Sequence, residues 1–111
     1  MKPSVNSASQ KLAQLVRRGE RLFTAEMGLT VSRLLNVVVP ARMTLVQLPH
    51  DEVLIHSPIN LQRIQVSSVE ALGKVKHIIA PNSTHHLFAQ QWKQQFPEAR
   101  LYATAALAKK R

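Results

Sequence analysis

The apolar positions of the chain change period as they run from the N-terminus. Residues 1–7 are polar and aperiodic and read as a frayed tail. From about Ala8, Leu12, Leu15, Val16, Gly19 and Phe23 recur at helical spacing, with Lys11, Arg17, Arg18 and Arg21 largely off that stripe. This predicts a basic amphipathic helix. Past Gly28 the residues turn β-branched, and 34–39, 43–48 and 53–56 each read as a strand. Pro40 separates the first two. Pro49-His50-Asp51-Glu52 makes a tight polar connection between the second and third, which should pair as an antiparallel hairpin.

The period then lengthens again. Leu61, Ile64, Ser68 and Leu72 predict a helix over 60–72, with Gly73 as its stop. A fourth strand follows at 75–80, and a strand-helix-strand order of this length implies a right-handed parallel crossover. Phe88, Trp92 and Phe96, four residues apart, mark one side of a helix over 84–96, a stripe that belongs in a core. Pro97-Glu98 ends it, and residues 100–103 read as a short fifth strand. The expected fold class is α/β: a mixed sheet with a β-hairpin followed by βαβαβ, preceded by the N-terminal helix. Residues 1–30 are assigned to tail and helix, 31–111 to the α/β domain.

Composition narrows the function classes. With 111 residues, 45% of them apolar, the chain suits one small domain. It has no cysteine, which excludes disulfides and thiolate metal ligands. The net charge of +9 invites a nucleic-acid or anionic-membrane reading, centred on Arg17, Arg18, Arg21 and on Lys109-Lys110-Arg111. No aromatic residues interleave with these bases, so nucleic acid is disfavoured against a solvated basic surface. No apolar run approaches the roughly 20 residues that cross a bilayer. A cytoplasmic location is expected, with organellar targeting by the Arg-rich N-terminal helix as the alternative.

Ligands of open α/β sheets collect beyond the carboxyl ends of parallel strands. Two turns lie there, His56-Ser57-Pro58 and Pro81-Asn82-Ser83-Thr84-His85-His86, so His56, Ser57, Asn82, Thr84, His85 and His86 are the candidate ligand or metal residues. Adjacent helical residues point about 100° apart, which sets His85 and His86 against sharing one ion. His56 and Ser57 make a weak nucleophile-base pair, because strand neighbours point to opposite faces. No Gly-rich phosphate loop or paired-carboxylate arrangement is present.

Three segments in order, 39–48, 54–58 and 80–88, resemble an uncharacterised domain-of-unknown-function family of the metallo-β-lactamase-like superfamily; the resemblance runs over about residues 37–111. It implies part of an αββα sandwich with a metal loop after the strand that ends at Ala80. Metal-binding members of that superfamily read H-x-H-x-D-H there. With the last His on His86, the pattern meets Pro81, Ser83 and His85 where it expects His, His and Asp. Such a fold needs roughly twice this length, so the chain is read as an N-terminal half-domain. One sheet face would be left uncovered, to be met by a homodimer or another partner. The resulting expectation is a non-catalytic metallo-β-lactamase-like module with no cofactor. The alternatives are a metal-assisted hydrolase with zinc or another divalent ion at the reduced His site, and a basic nucleic-acid or anionic-membrane binding module.

Overall fold

Six strands lie side by side in the order in which the chain makes them: β1 (Val16–Arg17), β2 (Leu22–Ser32), β3 (Val37–Leu48), β4 (Glu52–His56), β5 (Lys74–Ala80) and β6 (Arg100–Ala103). The structure is a computed structural model that describes residues 12–32, 34–81 and 83–103; for 29–31, 39 and 83–87 only the backbone is described. β1 to β4 pair antiparallel, whereas β4 with β5 and β5 with β6 pair parallel. Parallel neighbours need crossovers. Here these carry α1 (Val66–Glu70) and α2 (Ser83–Gln95). The expected β3–β4 hairpin, the parallel crossover into β5, the second helix and the last strand are all present.

The period-2 alternation decides which face of the sheet is dry. Phe23 and Ala25 on β2, Met43 and Leu45 on β3, Val53 and Ile55 on β4, and Ile78 and Ala80 on β5 are buried on one side. Ile59, Val69, Ala89 and Trp92 close over them from the crossovers. Trp92 is fully buried, donates its Nε1–H to the Ile59 carbonyl at 2.7 Å, and stacks on Phe96 with ring centroids 5.9 Å apart. Trp92 and Phe96 of the aromatic stripe thus belong to the core, as their spacing predicts, while Phe88 is half-buried outside it. The opposite face carries Val16, Leu22, Val46, Leu48, Leu54, Ile79 and Tyr102, half-buried or exposed, and no described element packs across it.

Three expectations are corrected. The basic amphipathic helix does not form in its described part: residues 16–17 and 22–32 are strands. Pairing with β3 sets Phe23 against Leu45 and Ala25 against Met43, and this tertiary burial overrides the helical spacing upstream. Residues 34–39 and 43–48 do not form two strands. β3 runs through Pro40, which is tolerated because β4 pairs only with Thr44–Leu48, so at Pro40 the strand has a single neighbour. The helix over 60–72 shrinks to a 3-10 turn at Leu61–Arg63 and the five residues of α1. Between them Ile64 bridges to Ala13, and the Ala13 N–H donates to the Arg63 carbonyl at 2.6 Å.

Gly73 ends α1 as expected, and its φ of 146° is open only to glycine; a Cβ there would also stand 2.5 Å from the Asp51 carbonyl oxygen. Gly73→Ala is expected to destabilise by more than about 1 kcal/mol. Trp92→Phe keeps most of the packing and strands the Ile59 carbonyl, an expected loss of about 1–3 kcal/mol, against about 3–5 kcal/mol for Trp92→Ala. Urea unfolding of the three variants checks both expectations.

Candidate functional site

β4 and β5 run parallel with His56 opposite Ile79, and the Ser57 N–H donates to the Ile79 carbonyl at 2.9 Å. The turns leaving the two strands therefore open on one sheet edge, where α2 begins at Ser83. Of the sequence-predicted residues, this edge holds His56 and Ser57 with their side chains described. Thr84, His85 and His86 lie in the first turn of α2 by their backbone, and Asn82 lies outside the described residues.

Ser57 adopts φ 60°, in the left-handed region. That twist breaks strand alternation at the end of β4 and corrects the expectation that the two neighbours face apart. The Ser57 hydroxyl and His56 Nδ1 are 3.1 Å from each other, the serine buried and the imidazole exposed. Chemically this is a hydroxyl held by an imidazole. No described carboxylate reaches the other ring nitrogen, so the orienting third group of a nucleophile relay is missing among the described residues. Nor do three His, Asp or Glu side chains among the described residues stand close enough to hold a metal ion.

The same edge carries a projection that sequence patterning missed. β3 passes the end of β4 by the seven residues 37–43, roughly 24 Å at ~3.4 Å per residue. It does so paired only with β2, and the ribbon ends in Leu34 and Leu35, 94% and 73% exposed. Splitting the strand at Pro40 concealed this length.

The basic residues at the β1–β2 corner are partly engaged. The Arg17 guanidinium lies 4.8 Å from the centre of the Phe23 ring and donates to the Glu20 carbonyl at 2.7 Å. Arg18 Nε donates to Thr24 Oγ1 at 2.9 Å. Lys109, Lys110 and Arg111 lie outside the described residues.

Two further groupings were illegible in the sequence because tertiary pairing assembles them. On the uncovered sheet face, His77 Nδ1 meets the Tyr102 hydroxyl at 3.1 Å and its Nε2 stands 3.7 Å from Glu52 Oε1. At the amino-terminal edge of the parallel strands, a cleft of about 660 Å³ is lined by Asp51, Glu70, Gly73, Lys74, Phe96 and Glu98, among others. Beside it Lys76 Nζ lies 3.0 Å from Glu98 Oε1 and holds that carboxyl below its ordinary value, by hydrogen bond first and by charge second.

Comparison with known proteins follows from this geometry. Residues 22–107 match the family described as Domain of unknown function (DUF4336). No curated protein matches the chain in sequence. Among solved structures, the metallo-β-lactamase FIM-1 from Pseudomonas aeruginosa, in its mono-zinc form, superposes with a TM-score of 0.66 at 10% identity, over 88% of this chain and 44% of that one. A metallo-β-lactamase from Hirschia baltica superposes with a TM-score of 0.63 at 10% identity, over 86% and 45%. These likenesses show a metallo-β-lactamase-like fold. The chain spans less than half the length of either.

The Glu98 carboxyl, lowered by Lys76, contributes stability above the unfolded carboxylate pKa and loses it as pH falls through the folded value. Lys76→Met is expected to move the Glu98 titration upward, toward an ordinary glutamate. Carbon-13 NMR titration of the side-chain carboxyl measures that shift, and an unmoved midpoint would remove Lys76 as its cause.

Proposed function

Since the chain belongs to the DUF4336 family, we propose that it is a non-catalytic metallo-β-lactamase-like packing module, one helix-and-sheet layer whose uncovered sheet face receives a second layer. The observation that carries this reading is the asymmetry of the sheet. The buried apolar strand side chains lie on the helix side, while on the other side Val46, Leu54 and Ile79 are only half-buried, Leu22 and Tyr102 are about 40% exposed, and the buried side chain is the polar Thr24, under Arg18. The row Leu22–Val46–Leu54, with Ile79 and Tyr102 beyond it, is an exposed apolar patch of the kind that marks an interaction surface. The greater length of the two lactamases supports the same reading, since this chain accounts for 44% and 45% of them.

The residues at the loop edge do not fit a dinuclear metal centre. Positions 81 and 83, where the superfamily pattern places imidazoles, hold proline and serine. The side chain of Pro81 brings no donor atom, and zinc and its neighbours draw on imidazole, carboxylate or thiolate. His56, the nearest described imidazole, has its Nδ1 engaged by Ser57.

Two measurements test the module. Calorimetric titration with zinc is expected to show no binding of two ions per chain, and EDTA is expected to leave the melting temperature unchanged. Two tight equivalents with a rise in Tm would overturn the non-catalytic reading. For the face, Val46→Thr combined with Leu54→Thr is expected to preserve the circular dichroism spectrum while reducing self-association or apolar-dye binding. A parent chain that shows neither property removes the packing role.

A further inference from the structure

We infer that the carboxyl-side end of the molecule docks on an anionic membrane surface, the leucine tip of the β2–β3 ribbon entering the boundary between headgroups and acyl chains. This surface is separate from the uncovered sheet face, so the inference does not depend on what packs there. It rests on two independent features, the build of the tip and the distribution of charge.

The tip is a formed turn that holds leucine outward. The Leu35 N–H donates to Ser32 Oγ at 3.2 Å, and Asn36 takes a left-handed φ of 55°. Leu34 and Leu35 stand at the end of the ribbon, with Val38, 55% exposed, just behind them. The three most exposed large apolar side chains among the described residues thus sit on one projection.

Charge is polarised along the strands. Five of the six acids lie at the opposite, amino edge: Glu20 in the β1–β2 corner, Glu52 at the start of β4, and Asp51, Glu70 and Glu98 around the cleft. The sixth, Glu26, is neutralised on the ribbon by Arg42. No acidic side chain is left unpaired toward the carboxyl end. Bases do belong there by the path of the chain. Arg33 stands between Ser32 and Leu34, and β6 ends on the carboxyl edge at Ala103, from which the chain continues to Lys109-Lys110-Arg111. Arg17, Arg18 and Arg21, in contrast, share the amino edge with Glu20.

These features select the occupant. A lipid surface needs only shallow apolar insertion, ~5–10 Å deep, together with bases that meet anionic headgroups. A nucleic-acid arm needs unpaired bases along its length to follow the phosphates. Here the charged residues described on the ribbon beyond β4 are Glu26 and Arg42, and they pair with each other. The end of a two-stranded ribbon also offers far less than the ~800 Å² that each partner gives to a stable protein interface.

The test is co-sedimentation of the 111-residue chain with phosphatidylcholine vesicles, with and without roughly one-third phosphatidylserine. Binding is expected only with phosphatidylserine, and is expected to fall in ~1 M salt. Leu34→Ser combined with Leu35→Ser should weaken it by at least about tenfold with an unchanged circular dichroism spectrum, since both side chains are exposed. Lys109→Gln, Lys110→Gln and Arg111→Gln together should weaken it too, whereas Arg21→Gln should not. Because the chain has no cysteine, an environment-sensitive dye can be placed singly. It should shift to the blue on these vesicles at Leu35→Cys and not at Gln94→Cys, near the far end of α2. Absence of vesicle binding overturns the inference, as does binding that the double serine variant leaves undiminished. Binding to duplex DNA, lost in that variant, with none to vesicles assigns the ribbon to nucleic acid and overturns the membrane.

Discussion

The constraint on which everything else rests is that α2 lies on one face of the sheet, held there by the burial of Trp92. Its ring fills the space between α2 and the segment after β4, and its N–H satisfies the Ile59 carbonyl, a backbone group that would otherwise be buried unpaired. Phe96 stacks beside it, and Ala89, one turn earlier, is small enough to let α2 approach β5 closely. Once α2 is seated, β5 and β6 must run parallel, because the chain has crossed the sheet and returned on the same side. The crossover through α1 does the same for β4 and β5.

From that arrangement come both edges of the sheet and their different chemistry. At the carboxyl edge the backbone turns sharply at Ser57, whose left-handed φ brings a hydroxyl and an imidazole together that a regular strand would have separated. At the amino edge Gly73 lets the chain pass against the Asp51 carbonyl, and acidic side chains gather around a cleft. The uncovered face is a consequence of the same geometry. With both crossovers on one side, the outward members of each strand, Leu54 on β4 and Ile79 on β5 among them, meet no described helix.

The basic balance means less than its size suggests, because part of it is spent locally. Arg17 covers an aromatic ring and closes the β1–β2 corner, Arg18 ties that corner to β2, and Arg42 pairs with Glu26 across the hairpin. Exposed pairs of this kind contribute little to stability. They do fix where charge sits on the uncovered face, Arg18 over Thr24 and Arg42 beside Glu26.

What the sequence by itself determined is the β3–β4 hairpin, the parallel crossover into β5, the core helix and the last strand; the helix expected over 60–72 is the exception, cut to a 3-10 turn and α1 where Ile64 bridges to Ala13. Where period-2 runs, a glycine stop and an aromatic stripe lie close together, local preference agrees with tertiary burial and the elements were legible. The amino-terminal third was not. Residues 22–32 become a strand only because β3 offers them a partner, and β3 crosses Pro40 only because it has a single neighbour at that point. Neither fact is local. The candidate edge divides in the same way: residues 56, 57 and 81–86 could be named from their places after two strands, whereas the contact between His56 and Ser57 depended on one backbone angle. The Glu52–His77–Tyr102 grouping depended on register across three strands. Spacing along a chain records periodicity, but pairing between strands far apart in sequence decides which side chains share a surface.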